Sequence, residues 1–208
     1  MKQVYRSRTA FALGWVWLAF VAFNVYDLTA RYNGKPSLVA GAVLGALTAL
    51  VYLVALRPAT VVTEDGLLAR NPLRTTFLPW KLIKDVTVGH TIGVHYGEDD
   101  EVLRLWTPMS TARERARAQR RAVPRPQRGR GRFQTEPVLS KAEQAAQEAF
   151  AGKTHADWVG QQITERAESA KTRVQQAEAA PARATWAIDS VVVLVVAVVL
   201  VIAAFLIN

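Results

Sequence analysis

The stretch RPATVVTEDGLLARNPLRTTFLPWKLIKDV, residues 57–86, determines the fold of the central part of this chain. Short runs of Val, Thr and Leu alternate with turn residues, a pattern typical of antiparallel β-strands. Asp65-Gly66 favours a tight hairpin because both residues tolerate positive φ angles, and Asn71-Pro72 marks a second turn. The same pattern continues to Trp106, so we predict a meander of six or seven strands from Thr60 onward.

Three apolar blocks flank this stretch: Thr9 to Leu28, Ser37 to Leu56, and Trp186 to Ile207. Each has about the 20 residues that a helix needs to cross a hydrocarbon core. The first block follows basic residues, as in a signal peptide, but it is longer than a usual signal h-region and has no small-residue cleavage pattern. We therefore predict a transmembrane hairpin at residues 1–56 and a C-terminal transmembrane helix at residues 186–208.

The basic residues beside these blocks predict the orientation of the chain in the plasma membrane. Lysines and arginines cluster before the first block and on the central side of the other two, whereas the loop between the first two blocks has only Arg31 and Lys35. Cationic flanks are retained in the cytoplasm. We therefore expect a multi-pass protein whose N-terminus and residues 57–183 are cytoplasmic and whose C-terminus is extracytoplasmic.

The chain has no cysteine, which excludes a disulfide framework, a thiolate nucleophile and a cysteine-ligated metal site. Its net charge of +9 is concentrated in one segment, because Arg113 to Arg132 holds nine arginines and one acid, Glu114. The rest of the central stretch is slightly acidic, with twelve Lys/Arg against fourteen Asp/Glu. The basicity is therefore local.

This arginine segment predicts contact with anionic lipid. Its prolines and glycines oppose regular structure, so we expect residues 113–137 to form a flexible loop. Near an anionic inner leaflet, each basic residue contributes about 1 kcal/mol of attraction. Nucleic acid is a less favoured partner because the segment has no groove-reading element. The alternative is that the loop binds nothing and is basic only because cytoplasmic loops of membrane proteins carry excess positive charge. The predicted lipid-binding residues are Arg113, Arg115, Arg117, Arg120, Arg121, Arg125, Arg128, Arg130 and Arg132.

Residues 138–180 are predicted to be helical and to close or flank the β domain. A closing helix can begin at Ser110 or Thr111, with Glu114 in its first turn, or it can be Ser140 to Ala151, which begins with capping-box spacing. Thr154 to Ala180 predicts a further helix that docks lightly on the sheet or on a partner. Its thin apolar stripe consists of Val159, Ile163, Ala167, Ala170 and Val174.

Gly41 and Gly45 form a G-x-x-x-G pattern in the second apolar block, which permits close helix packing. The face fits either the first helix of the hairpin, which we favour, or a second copy of the chain. We predict no metal site and no cofactor, because the three histidines lack ligand spacing and the acidic run from Glu98 to Glu101 lacks the ligand order of a calcium loop. No catalytic motif is apparent.

The quoted stretch resembles the small bacterial pleckstrin-homology (PH) domain of actinobacterial membrane proteins, a family that includes the low-molecular-weight protein antigen 6 group. The matching features are Arg57-Pro58 directly after a membrane hairpin, Asp65-Gly66, the run Arg70 to Leu73, and Pro79-Trp80 before Ile83 and Val86. The resemblance implies an α+β fold in which a bent antiparallel sheet at residues 57–112 is closed by a C-terminal helix. In lipid-binding PH domains a basic first hairpin loop holds the head group. Here that loop, Glu64-Asp65-Gly66, is acidic, so we do not transfer this ligand.

These observations predict a non-enzymatic adaptor in the membrane, with a PH-like domain that binds a protein partner and arginines that contact anionic lipid. The alternative is a small accessory subunit of a transporter or envelope enzyme complex, which binds that complex through the Gly41 and Gly45 face. The same face would also allow a homo-oligomer. A nucleic-acid tether is a weaker third hypothesis. Fold alone does not establish function, so these hypotheses depend on the site.

Overall fold

The structure is a computed structural model that describes residues 2–122, 152–173 and 181–207. Its long apolar helices are α1 (Arg8–Ala30), α2 (Lys35–Val51) and α5 (Ile188–Ile207). A π-helical turn, Tyr52–Leu56, extends α2. Within the described residues, three helices are long and apolar enough to cross a membrane. Most of their large apolar side chains are not covered by other parts of the protein, as expected of helices that face lipid.

Among the described residues, eight short strands form two antiparallel sheets between and around these helices. The five-stranded sheet has the order β1-β2-β3-β4-β8, and the three-stranded sheet has the order β5-β6-β7. A 3-10 turn, Trp80–Leu82, joins the two sheets. The strand bounds are β1 Gln3–Tyr5, β2 Ala59–Val62, β3 Gly66–Arg70, β4 Arg74–Pro79, β5 Ile83–Val88, β6 Ile92–Tyr96, β7 Glu101–Leu105 and β8 Arg183–Trp186.

The six strands β2 to β7 confirm the predicted meander, whereas β1 and β8 were not predicted. β1 immediately precedes α1 and pairs with β2, and β8 immediately precedes α5 and pairs with β4. The segments that lead into the first and last apolar helices therefore complete the five-stranded sheet. Tyr5 ties β1 to the rest of the domain, since its ring lies 6.1 Å from that of Trp158 and its hydroxyl bonds the side chain of Gln162.

Helix α4 (His155–Arg173) closes the space between the sheets. Thr154 and Asp157 cap it reciprocally: the Thr154 N–H lies 2.7 Å from Asp157 Oδ2, and the Asp157 N–H lies 3.2 Å from Thr154 Oγ1. The predicted stripe is confirmed at Val159, Ile163 and Ala167, which are buried in the main core. The docking is not light, because a Cβ on Gly160 would lie only 2.4 Å from a methyl group of Val88. Val174 and the alternative closing helix, Ser140 to Ala151, lie outside the described residues.

The core is continuous across both sheets and α4. Its fully buried members come from every layer, so each element loses its apolar partner if another is removed. They are Val62, Leu67, Ala69, Leu78, Trp80, Ile83, Ile92, Val94, Leu105, Ala156, Val159, Ile163 and Ala167. The predicted fold class, a PH-like α+β domain with antiparallel sheets and a C-terminal helix beside three apolar helices, is confirmed.

One predicted boundary is corrected. The flexible loop was expected to begin at Arg113, but α3 (Ala112–Ala122) is helical. Thr111 and Glu114 form a second reciprocal cap, with distances of 2.9 and 3.1 Å between each backbone N–H and the other side chain. The Ala, Arg and Gln residues that follow are good helix formers, and the first proline comes only at Pro124.

We predict that Ile163→Ala lowers the free energy of unfolding by about 3 kcal/mol, because it leaves a cavity between α4 and both sheets. Glu168→Ala, an exposed position on the same helix, is the matched control and should change stability little. Thermal unfolding of the detergent-solubilised full chain, followed by tryptophan fluorescence, measures both. Equal midpoints for the two variants would show that α4 does not close the core.

Candidate membrane-interface site

The three apolar helices run directly into the five-stranded sheet. Two residues separate β1 from α1, two separate the π-helical turn from β2, and one separates β8 from α5. The start of α1, the end of α2 and the start of α5 therefore meet the domain at the same end of the sheet. We call this region the junction. Connections this short hold the domain against the helices, because no flexible linker remains that would let the domain rotate relative to them.

Arg57 lies at the centre of the junction, with a side chain that is only 8% exposed. Its Nε lies 2.9 Å from Oδ2 of Asp189 in α5, and its Nη2 lies 3.2 Å from the hydroxyl of Thr75 in β4. Nη1 donates to the backbone carbonyl of Asn71 in the β3–β4 turn. The Tyr52 hydroxyl donates to the same Asp189 oxygen at 2.9 Å. The guanidinium thus connects two parts of the sheet to the third apolar helix, and Asp189 in turn binds the π-helical turn through Tyr52.

Asn71 extends this network to the second sheet, and all of its polar groups are used. Its backbone N–H donates to Arg74 at 2.9 Å, while its carbonyl accepts from Arg57. Its side-chain amide donates to the carbonyl of Arg104 at 2.9 Å and accepts from the N–H of Trp106 at 3.0 Å. The edge of β7 is therefore bound to the β3–β4 turn by one side chain.

Trp106 brings the end of β7 to the apolar helices. Its indole N–H lies 3.3 Å from the carbonyl of Val54, within the π-helical turn. A π-turn shifts hydrogen bonds from i+4 to i+5, as the Arg57 N–H bond to Tyr52 shows at 2.9 Å. An amphipathic indole in this position is typical of the boundary between lipid and water. Helix α3 begins six residues after Trp106.

The predicted lipid-binding arginines are divided by the structure. Arg113, Arg117 and Arg120 are exposed and share one face of α3, since they are spaced i, i+4 and i+7. We call these three positions the arginine face. Arg121 follows Arg120 in α3, and its side chain lies outside the described part of the structure. Arg115 lies on the opposite side with the buried Ala118. Arg125, Arg128, Arg130 and Arg132 lie outside the described residues.

The two ends of the domain differ in charge. β2 begins at the junction, so the β2–β3 turn with Glu64 and Asp65 lies at the opposite end. The acidic run from Glu98 to Glu101 joins β6 to β7 at that same distant end, where Gly97 bonds Leu82 at 3.2 Å. The hairpin loop that is basic in lipid-binding PH domains is therefore acidic here and lies far from the junction.

Two residues of the acidic run, Asp100 and Glu101, interact with neighbouring side chains of β6. Asp100 lies 3.4 Å from Nδ1 of His95. Glu101 accepts a hydrogen bond from the Tyr96 hydroxyl, and this bond, together with burial, raises the pKa of Tyr96 to about 12. Within residues 2–122, 152–173 and 181–207, no group of three or more His, Asp or Glu side chains could hold a metal ion.

The Gly41 and Gly45 face does not pack as we favoured. Gly45 faces α5, where a Cβ would lie 2.7 Å from Leu200. The first helix approaches α2 through a different glycine, Gly14, at which a Cβ would lie 2.5 Å from Leu56. Gly41 has open space around its Cβ position. The face is thus occupied by the third helix at one glycine and open at the other.

Residues 57–126 match the family model described as the bacterial PH domain. The match begins at Arg57, where the sequence resemblance begins, and extends through α3. No curated protein and no solved structure matches the chain.

We predict that Arg57→Gln lowers the free energy of unfolding by about 2 kcal/mol, because it removes the charge that pairs with Asp189 and the guanidinium donor to the partly buried carbonyl of Asn71. The matched control is Asp27→Asn, which breaks the exposed Arg31–Asp27 ion pair of 3.2 Å and should cost little. Arg57→Lys should be intermediate, since a lysine keeps the charge but not the fork of donors. Unfolding midpoints of the detergent-solubilised chain test this, and equal midpoints for Arg57→Gln and Asp27→Asn would contradict it.

Proposed function

We propose that this chain, which carries a bacterial PH domain at residues 57–126, is a non-enzymatic multi-pass adaptor of the plasma membrane. In this proposal the three apolar helices span the bilayer and the domain faces the cytoplasm. The arginine face lies on anionic lipid, and the end of the domain away from the junction binds a protein partner. A PH domain is a lipid- or protein-binding module, which is consistent with both contacts.

The observation that carries the proposal is the direct continuation of all three apolar helices into one sheet. An enzyme lid or a mobile sensor needs freedom to move, whereas connections of one or two residues fix the domain in one orientation. The same end of the domain always faces the cytoplasm. Fixed presentation of a surface suits an adaptor because the surface needs no ordering before it binds.

Charge supports the proposed side of the membrane. The junction end carries Arg6, Arg57 and Arg70, and Arg8 begins α1 there. The far ends of α1 and α2 have only Arg31 and Lys35, and Arg31 is paired with Asp27. By the positive-inside rule, the junction then lies on the cytoplasmic side.

The arginine face supports the lipid contact. Three exposed arginines on one side of α3 follow Trp106 closely in sequence, and the indole of Trp106 bonds the π-helical turn. Attraction to anionic lipid extends about one Debye length, roughly 8 Å at physiological salt. The acidic turns lie at the other end of the domain, so repulsion from the same lipid favours this orientation.

A second candidate is the accessory subunit, and the open space around Gly41 favours it. A helix of another protein or of a second copy could approach α2 closely there. The accessory-subunit hypothesis places the partner in the bilayer, whereas the adaptor hypothesis places it in the cytoplasm.

For the lipid contact, the absence of native cysteine permits a single fluorophore at Ala116→Cys, an exposed position on α3. In nanodiscs with phosphatidylglycerol we expect quenchers carried by lipid head groups to reduce its emission. The triple variant Arg113→Gln/Arg117→Gln/Arg120→Gln should lose this quenching, and a matched triple lysine variant should keep most of it. Equal quenching in purely neutral nanodiscs would contradict the proposal, since charge would then have no part.

For the protein contact, we would place a photo-crosslinking amino acid at Val102, which is 47% exposed on β7 away from the junction, and irradiate native membranes. The adaptor predicts a discrete protein adduct from position 102, lipid adducts from position 116, and no change with Gly41→Leu. Loss of the partner with Gly41→Leu would instead support the accessory subunit. No protein adduct from position 102 would overturn the adaptor.

A further inference from the structure

A cavity of about 580 Å³ lies at the junction between the domain and the apolar helices. Its lining comes from four parts of the chain: the segment before α1, the π-helical turn, the five-stranded sheet and the start of α5. Its polar lining includes Arg6, Arg57, Arg70, Tyr52, Thr75 and Thr185. Its apolar lining includes Leu56 and Ile188, which belong to the apolar helices.

The cavity has more positive charge than the protein compensates. Three arginines line it, against one carboxylate, Asp189. Asp189 is bound by Arg57 and Tyr52. Two guanidinium groups, those of Arg6 and Arg70, therefore remain for an anion.

Arg6 and Arg70 lack polar partners in the described part of the chain. The Nε of Arg6 is buried and has no hydrogen-bond acceptor there. The guanidinium carbon of Arg6 lies 5.4 Å from the centre of the Phe11 ring. A buried donor without an acceptor is unfavourable and rare in folded proteins, so an acceptor supplied from outside the chain would complete this cavity.

Phosphate oxygens fit this arrangement because guanidinium groups donate pairs of parallel hydrogen bonds to them. The position of the cavity restricts the source of the phosphate. Its apolar walls continue into the π-helical turn and α5, and Trp186 in its lining, the last residue of β8, is 61% exposed. A ligand with a phosphate at the boundary and an apolar body along the helices matches both halves of the cavity.

We propose that this junction cavity binds the phosphate group of a membrane phospholipid, with Arg6 and Arg70 as the main donors. The site differs from the basic hairpin loop of lipid-binding PH domains, because the corresponding turn here is acidic and lies at the other end of β2 and β3. It also differs from the arginine face of α3, which lies on no element of this cavity. The site therefore does not depend on the adaptor proposal.

The test is lipid retention by the full chain, extracted from membranes in mild detergent and examined by native mass spectrometry. We expect the unaltered chain to retain one phospholipid. Arg6→Gln/Arg70→Gln should lower its occupancy at least about tenfold, as loss of charge-assisted hydrogen bonds implies. Arg104→Gln removes an exposed arginine on β7, outside the cavity, and should retain the lipid.

Arg70→Gln alone guards against misfolding, because Arg70 has no side-chain hydrogen bond or ion pair to lose among the described residues, and it should still lower occupancy. Added inorganic phosphate separates the two sources of phosphate. A membrane lipid predicts that millimolar phosphate does not displace the bound molecule. Displacement by phosphate, retention by Arg6→Gln/Arg70→Gln equal to that of Arg104→Gln, or no lipid on the unaltered chain would each overturn the proposal.

Discussion

The guanidinium of Arg57 is the group on which the rest of the structure depends. It is buried where three apolar helices meet a β-sheet, and a buried charge is tolerated only when it is paired and hydrogen-bonded. Asp189 supplies the opposite charge, Thr75 and Asn71 supply neutral acceptors, and Asn71 passes the connection on to β7. Asp189 is thus explained as a structural partner at the end of an apolar helix.

The topology links membrane insertion to completion of the domain. β8 pairs with β4 across a wide gap in sequence, since the Thr185 hydroxyl bonds the carbonyl of Thr75 at 3.3 Å although the two residues are 110 positions apart. The five-stranded sheet is incomplete until the segment before α5 has reached the junction. Pairings this distant in sequence form late, because the closing of a long loop has to precede them.

Elements with a sequence pattern that repeats over many residues were predictable. Very short strands, and contacts between residues far apart in sequence, were not. Strands β2 to β7 and the buried stripe of α4 follow from alternation, turn residues and the spacing of Val159, Ile163 and Ala167. β1 and β8 have three and four residues, too few for any pattern. Arg57 pairs with Asp189, 132 positions away, and Gly45 packs against Leu200. Neither contact produces a pattern in the sequence around either residue. A helix start at Ser110 or Thr111, with Glu114 in the first turn, was one of two predicted alternatives and is confirmed by α3. The competing prediction, a flexible loop from Arg113, gave too much weight to the prolines and glycines further on.

The sheet edges have a consequence for a protein confined to a membrane, where copies meet at high local concentration. Exposed strand edges invite pairing with neighbouring chains, and natural proteins limit this by making edge strands very short or covering them. Here both edges of the larger sheet are short strands, each tethered to an apolar helix. At β7, Asn71 occupies a carbonyl and an N–H that a foreign strand would use. Crowded copies can therefore share a membrane patch without aggregating edge to edge.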